Sequence, residues 1–357
     1  MRNKDAAIMT NSFPRAVSGA SRNPSGNHTG AGQALPESGP SYVAGADIGG
    51  TNLRLALANA DGAIAARWSA STTGTRNPES VVELIGDGVQ AMLDQVSAPA
   101  ESLKAIAAGA PGATNVDDGI VLATSYLMGW RNVPFRALLE EALHVPAAVD
   151  NDVNLAALGE GWIGAAKDVN DFVFVGIGTG VGAGIVLNGQ LFRGANWNAG
   201  EIGYMLVPGT LETSREIGQP GSLEEMIGGE GIRAQWSALW NENATPLPSS
   251  LLATEVFDHA LRGDALAQAI LTQVSRKLFY AICNMGSVLN CPLFVLGGGV
   301  GLHPALLREV KRLMAEWEIY SSVQIVQSAL GPDAQLFGAL RLAFDTAQLR
   351  ATAVAGQ

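Results

Sequence analysis

The hydrophobic pattern of the chain changes character near residue 42. Residues 1–40 are rich in Ser, Gly, Asn and Pro and carry no apolar period, so they read as a disordered tail. Beyond them, 42–47 is an apolar run of strand length, 49–52 is a glycine turn, and 53–58 alternates as a second strand. Asp61-Gly62 has the form of a two-residue hairpin turn into a third strand over 63–69. Val81, Val82, Ile85, Val89, Met92 and Leu93 recur at helical spacing and predict a helix over 79–96. Strands at 105–110 and 120–123, a helix at 135–143, a strand at 147–149 and a helix at 153–158 follow.

The second half repeats the opening order. An apolar strand at 172–177 meets a glycine turn at 178–180, then a strand at 181–187, an Asn188-Gly189 hairpin signal and the start of a third strand at 190–193. Helices are expected at 222–240, at 252–289 in one or two pieces, at 305–317 and at 334–343, with a strand at 293–296 running into Gly297, Gly298 and Gly299. An order of elements that occurs twice reads as an internal duplication. The implied architecture is α/β, with two mixed sheets, helices on their faces and a central cleft. The expected domains are the tail at 1–40, an N-terminal domain at 41–152 and a C-terminal domain at 153–333. Residues 334–357 are expected to return to the N-terminal domain as a helix and end in a tail.

Composition narrows the chemistry. The 357 residues are 47% hydrophobic and 15% charged, which suits two packed domains. A net charge of −11 argues against a nucleic-acid or anionic-membrane surface, since both need clustered Lys and Arg. It leaves nucleotides open, because backbone N–H groups and a magnesium ion can hold phosphates without a basic patch. Cys283 and Cys291 form neither a disulfide framework nor a zinc cluster, and read as reduced thiols of a cytoplasmic protein. No apolar run reaches the ~18–20 residues of a membrane span.

Five segments carry candidate chemistry. In Asp47-Ile48-Gly49-Gly50-Thr51-Asn52 the turn joins two strands; its glycines admit a ligand close to the backbone, and successive N–H groups form an anion nest. Thr51 and Asn52 add side-chain donors, and Asp47 is placed to hold Mg²⁺ through water. An ordinary tight turn is the alternative, favoured until the second copy is seen. That copy, Gly178-Thr179-Gly180, sits in a run resembling a dinucleotide fingerprint, but a strand follows it where a helix is required. Two such turns facing each other can clamp a polyphosphate. Gly298 and Gly299, before a helix, would let a flat purine lie against backbone, with close helix–strand packing an equal alternative. Asp150-Asn151-Asp152-Val153-Asn154 enters a helix, where Asp and Asn are common caps. Read chemically, it offers Asp152 as general base and Asn151 to orient a hydroxyl. Glu201, flanked by glycines, and Glu224, early in a helix, would supply paired acceptors for sugar hydroxyls.

Together these motifs resemble the ROK family of sugar kinases and repressors, from about Tyr42 to Ala343. The resemblance rests on 47–55, Gly109-Ala110-Pro111-Gly112, Gly129-Trp130, 150–160, 176–194 with 199–203, and 297–299. It implies an actin-like ATPase (ribonuclease H-like) duplicated fold and an ATP- and Mg²⁺-dependent phosphorylation of a hexose 6-hydroxyl, glucose first. It also implies Asp152 as base, Asn151, Glu201 and Glu224 on sugar hydroxyls, Gly112 near the sugar, and a homodimer. The chain departs from the family pattern on the sugar side. Tyr204 stands where a histidine is usual, Tyr126 where an asparagine is common, and Arg215, Ile217 and Ser222 where three zinc-binding cysteines are common. No structural zinc is therefore expected, and the loop must be held by packing or hydrogen bonds. Repressors of the family carry an N-terminal winged helix; 1–40 is too short and too polar to form one.

Overall fold

A computed structural model describes residues 40–73, 77–123, 129–210 and 219–355. Tyr126, Arg215, Ile217 and nearly all of the expected tail lie outside the described residues.

The first sheet begins with β1 (Tyr42–Ile48), β2 (Asn52–Asn59) and β3 (Ile64–Ser71), an antiparallel meander. Helix α1 (Pro78–Gln95) leads to β4 (Leu103–Ala110), which lies parallel to β1. Then come β5 (Ala113–Asn115), β6 (Ile120–Ala123), β7 (Arg131–Val133), α2 (Phe135–Leu143) and β8 (Ala147–Asn151). The sheet order is β3-β2-β1-β4-β8, and β5-β6-β7 form a small antiparallel sheet of their own. Helix α3 (Asp152–Ile163) follows β8 without a loop.

The second half is built the same way. It opens with β9 (Phe172–Ile177), β10 (Val181–Leu187) and β11 (Gln190–Leu191). Helices α4 (Glu224–Ile227), α5 (Gly229–Leu239), α6 (Ala253–Leu261) and α7 (Ala265–Leu289) precede β12 (Leu293–Gly297). The chain closes with α8 (Gly298–Gly301), α9 (Pro304–Met314), β13 (Gln324–Gln327) and α10 (Ala334–Ala355). The sheet order is β11-β10-β9-β12-β13, strand for strand the order of the first, with the same change from antiparallel to parallel pairing. The duplication legible in the sequence is thus a duplication of topology.

Local rules account for most elements. Asn77 caps α1 through its side chain, with Pro78 in the first turn. Asn188 and Gly189 both have positive φ, 54° and 73°, as a two-residue type I′ hairpin needs. Three expectations need correction. Asp61-Gly62 does not make a two-residue hairpin; the loop is longer because the Asn59 side chain accepts from Asp61 N and Ala63 N. The third strand of the second repeat is only Gln190–Leu191. The helix expected over 222–240 is two helices, because extended Gly228 breaks it and lets Gly229 N donate to the Gly178 carbonyl at 2.8 Å. Missing from the sequence reading were β5, β7 and β13, which are short.

Each sheet is covered on both faces. On the first, α1 and α2 bury Val81, Ile85, Met92 and Phe135 against β1, β2 and β4, while α10 covers the opposite face. On the second, α3 covers one face and the helices between β11 and β13 cover the other. Helices α3 and α10 pack on each other between the sheets, and glycine sets how closely. A Cβ on Gly338 would lie 1.7 Å from the Leu155 carbonyl oxygen, and one on Gly159 would lie 2.4 Å from that of Ala334. Fully buried Glu160, near the end of α3, accepts from Ala165 N (2.6 Å), Leu330 N (3.1 Å) and the Ser328 hydroxyl, tying α3 to the segment that starts α10. No helix among the described residues is long and apolar enough to cross a membrane.

Gly338→Ala should lower stability in denaturant unfolding by about 1–3 kcal/mol, the usual cost of overpacking. Gly86→Ala is the contrast: an added Cβ there meets nothing within 4 Å, so the helix should be unchanged or gain up to about 1 kcal/mol.

Candidate active site

The first glycine turn closes on itself. Gly49 N donates to the Asn52 carbonyl (2.8 Å), and Thr72 N to that of Thr51 (2.9 Å). Asp47, the last but one residue of β1, is buried, and its carboxylate accepts from Arg54 Nε at 3.0 Å. Burial pushes this carboxyl above its usual range, and Arg54 pulls against that. The second turn is closed by Gly178 N donating to the Gly180 carbonyl (3.0 Å). Gly298, at φ 76°, backs it; a Cβ there would lie 2.4 Å from the Ile177 carbonyl oxygen.

Both turns line one cavity of about 1120 Å³, through Gly49, Gly50 and Thr51 on one side and Gly178, Thr179 and Gly180 on the other. Gly298 also lines it; Asp47, Asn52 and Gly299 do not. At Gly178 an added Cβ would meet nothing within 4 Å, so the backbone there stands open to a ligand. The site therefore fits a polyphosphate cradled by main chain. Among the described residues no three His, Cys, Asp or Glu side chains converge as a metal cage. The donor set suits a divalent ion that travels with a nucleotide, which needs only one or two carboxylates.

The end of β8 supplies the acidic floor. Asp150 is buried against Arg193, whose Nε donates at 3.0 Å, and it accepts from Asn151 N (2.8 Å) and Asn154 Nδ2 (3.0 Å). Asn151 is the cap of α3: its Oδ1 accepts from Val153 N (2.9 Å) and Asn154 N (3.3 Å), and its Nδ2 donates to the Gly112 carbonyl (3.0 Å). One N–H of that amide is left for a further partner. Asp152 opens α3 and lines the cavity. Burial, then the charge of Asp47, and more weakly that of Glu201, raise its pKa from 3.8 to about 7. A helix N-terminus and the Val153 N–H oppose that rise without cancelling it.

Glu201 and Glu224 line the same cavity. The Glu201 carboxyl is raised by burial and then by the neighbouring charge of Glu224. Gly200, at φ 99°, lies flat on β10, where a Cβ would come 1.9 Å from the Ala183 carbonyl oxygen. Glu224 Oε2 accepts from Val181 N at 2.7 Å, joining α4 to the second turn. The segments carrying the two glutamates are zipped together: Leu223 N donates to the Gly203 carbonyl (2.9 Å), and the Tyr204 hydroxyl to the Gln219 carbonyl (2.9 Å). Buried Lys277 donates to the Pro208 carbonyl. Tyr204 lines the cavity, but its hydroxyl is engaged with main chain. Ser222 is buried in the same stretch.

Sequence reading missed Arg131, Asn132, Trp197, Asn198 and Glu230, all of which line the cavity. They sit on β7, in the loop after β11 and at the start of α5; all but Asn198, which opens the segment carrying Glu201, lie outside the motifs that draw the eye. The one signal was a tryptophan inside a Gly-, Ala- and Asn-rich loop.

Comparison with known proteins places this geometry. A glucokinase from Halalkalibacterium halodurans is 32% identical over 311 residues, covering 83% of this chain and 93% of that protein. An N-acetylmannosamine kinase from Escherichia coli is 31% identical over 299 residues, covering 83% and 96%. A ROK family glucokinase from Streptomyces griseus, solved in complex with glucose and AMPPNP, superposes with a TM-score of 0.71 at 25% identity, over 85% of this chain and all of that one. The two like-ordered sheets and the cleft are those of the actin-like ATPase fold. The ROK family model matches residues 43–346, almost the whole described chain, and the chain belongs to the ROK family.

Proposed function

We propose that the chain is a sugar kinase that transfers the γ-phosphoryl group of ATP to the 6-hydroxyl of a hexose, with glucose as the first acceptor. The observation that carries this reading is Asp152, a carboxylate held near neutrality at the cavity wall shared by both glycine turns and both glutamates. A base works best when its pKa is close to the working pH. The sugar-kinase relatives support the same reading. N-acetylmannosamine, named for one of these relatives, is an alternative to glucose, and N-acetylglucosamine, mannose and fructose are further ones.

In the proposed step the acceptor hydroxyl gives its proton to Asp152 as its oxygen bonds to the γ-phosphorus. The bond from that phosphorus to the bridging oxygen breaks, and ADP leaves. Main-chain N–H groups at 50–51 and 179–180 hold the phosphates, those of Gly49 and Gly178 being used to close the turns, and the Gly298-Gly299 segment lies along the purine. Glu201 and Glu224 accept hydrogen bonds from sugar hydroxyls, and the remaining N–H of Asn151 donates to one. Mg²⁺ bound with the nucleotide would neutralise phosphate charge, with Asp47 the carboxylate beside the first turn. Positioning of both reactants supplies much of the remaining acceleration.

Offered Mg-ATP and each of these sugars, the purified protein should release ADP with at least one. Measurable sugar binding with no turnover of any would replace this reading with a sugar-binding regulator. Asp152→Asn should lower kcat by about 10²–10⁴ while largely preserving sugar affinity by calorimetry; unchanged kcat would remove Asp152 from the mechanism.

Two pH effects follow from the raised Asp152 pKa. The base must be ionised to act, so kcat/KM should fall as pH drops below about 7. Stability runs the other way. With the folded pKa above the unfolded one, the contribution of this group is fully present below about pH 4 and is lost as pH rises through about 7. Asp152→Asn should therefore melt above the wild type at about pH 8.5, with the gain shrinking toward pH 4. A gain independent of pH in thermal melts would contradict the assignment.

A further inference from the structure

Asp150 and Arg193 do not line the cavity, yet they join two stretches of chain that do. The Asp150 side chain, at the end of β8, is 1% exposed, and that of Arg193 is 25% exposed. Each Asp150 oxygen accepts two hydrogen bonds. Oδ1 takes Asn151 N (2.8 Å) and Asn154 Nδ2 (3.0 Å), which holds the entry to α3. Oδ2 takes Arg193 Nε (3.0 Å) and Nη2 (2.6 Å), both from one rigid guanidinium. A carboxylate offers about four lone-pair sites, so these bonds occupy it and leave nothing for a substrate.

Arg193 belongs to the other sheet. It lies in the loop after β11, and both ends of that loop rest on β10: Phe192 N donates to the Ile185 carbonyl (2.8 Å), and Ala183 N to that of Gly200 (2.8 Å). Within the loop, Ala199 N donates to the Arg193 carbonyl (3.1 Å) and Glu201 N to that of Asn198 (3.3 Å). The main chain of Arg193 is thus part of the hydrogen-bonded frame that carries Asn198 and Glu201 to the cavity, while its side chain crosses to β8. On that side Asn151 and Asp152 line the cavity, and Asn151 is bonded to Gly112.

A ligand held by Asn151 on one side and Glu201 on the other needs their separation fixed to roughly 0.5 Å. The Asp150–Arg193 pair bridges 43 residues of chain and is a short path between the two: one residue from Asn151, and one frame from Glu201. The two glycine turns, by contrast, are closed by main-chain bonds of their own and do not depend on it.

We propose that Arg193 is a positioning residue for the sugar: through Asp150 it sets the gap between Asn151 and Glu201, and so the affinity for the acceptor, without touching it. The proposal rests on the sugar-kinase reading above.

The test uses the best acceptor among glucose, N-acetylmannosamine, N-acetylglucosamine, mannose and fructose. KM for that sugar, KM for ATP, kcat and thermal melting are measured in the wild type, Arg193→Lys, Arg193→Met and the double variant Asp150→Asn/Arg193→Met. Arg193→Met should raise the sugar KM about tenfold or more, with the ATP KM changed less than about twofold and kcat less than about fivefold. Arg193→Lys keeps a cation that can reach Oδ2, so its sugar KM should fall between those of the wild type and Arg193→Met. The double variant leaves no lone buried carboxylate, so it should melt above Arg193→Met while its sugar KM stays raised about tenfold. A sugar KM that recovers together with the melting temperature, an ATP KM that rises as far as the sugar KM, or an unchanged sugar KM in folded Arg193→Met would overturn the proposal. So would failure of both Met-containing variants to fold, which would make the pair a condition of the fold alone. If the wild type turns over none of these sugars the kinase reading fails, and sugar dissociation constants from calorimetry on the same variants then decide for or against Arg193; a wild type that binds no sugar overturns both.

Discussion

Everything in this molecule hangs on two helices touching backbone to backbone. Helices α3 and α10 each cover one sheet, and they meet because Gly159 and Gly338 present no side chain at the crossing. A methyl group at either position would sit inside a carbonyl oxygen of the other helix. Dispersion favours this approach, and sterics permit it because both residues are glycine. Glu160 then fixes α3 to the approach of α10 through main-chain N–H groups and one hydroxyl, so a buried carboxylate is satisfied by hydrogen bonds.

The site is assembled from the ends of elements that this contact holds in place. Each sheet contributes a turn between its first two strands, and the turns line one cavity. The carboxylates that matter sit at strand or helix ends: Asp47 at the end of β1, Asp152 at the start of α3, Glu224 at the start of α4. Guanidinium groups hold two of the acids not proposed to take a proton, Arg54 on Asp47 and Arg193 on Asp150. Asp152 has no such partner among its shifting influences, and burial beside other acids keeps its proton affinity high. Protonation in this small volume is thus set by burial first, with Arg54 offsetting part of that effect at Asp47 and no cation offsetting it at Asp152.

Much of this was legible in the sequence, for identifiable reasons. Strand, glycine turn, strand, hairpin is a local pattern, and it survived duplication, so the sheets and both turns could be read from periodicity and from Gly49, Gly50, Gly178 and Gly180. The short strands β5, β7 and β13 could not, because they are three or four residues long and mix polar with apolar residues, whereas four-residue β6 is an unbroken apolar run. Nor could the break at Gly228, which exists to let α5 meet the second turn, a tertiary reason invisible to helical spacing. In the site, residue types announced Asp152, Glu201 and Glu224, but not how their neighbours are spent. Asn151 is largely committed to capping α3, and the Tyr204 hydroxyl to the Gln219 carbonyl. Such commitments depend on three-dimensional neighbours up to 39 residues away in the chain, as with Asn151 and Gly112.

The join between β8 and α3 has a mechanical meaning. Asn151 is the last residue of a strand in one sheet, and Asp152 is the first residue of a helix that covers the other, with no linker between them. Asp152 is thus tied by main chain to both halves at once: wherever the end of β8 and the start of α3 go, its carboxylate goes with them, and no loop can let it drift.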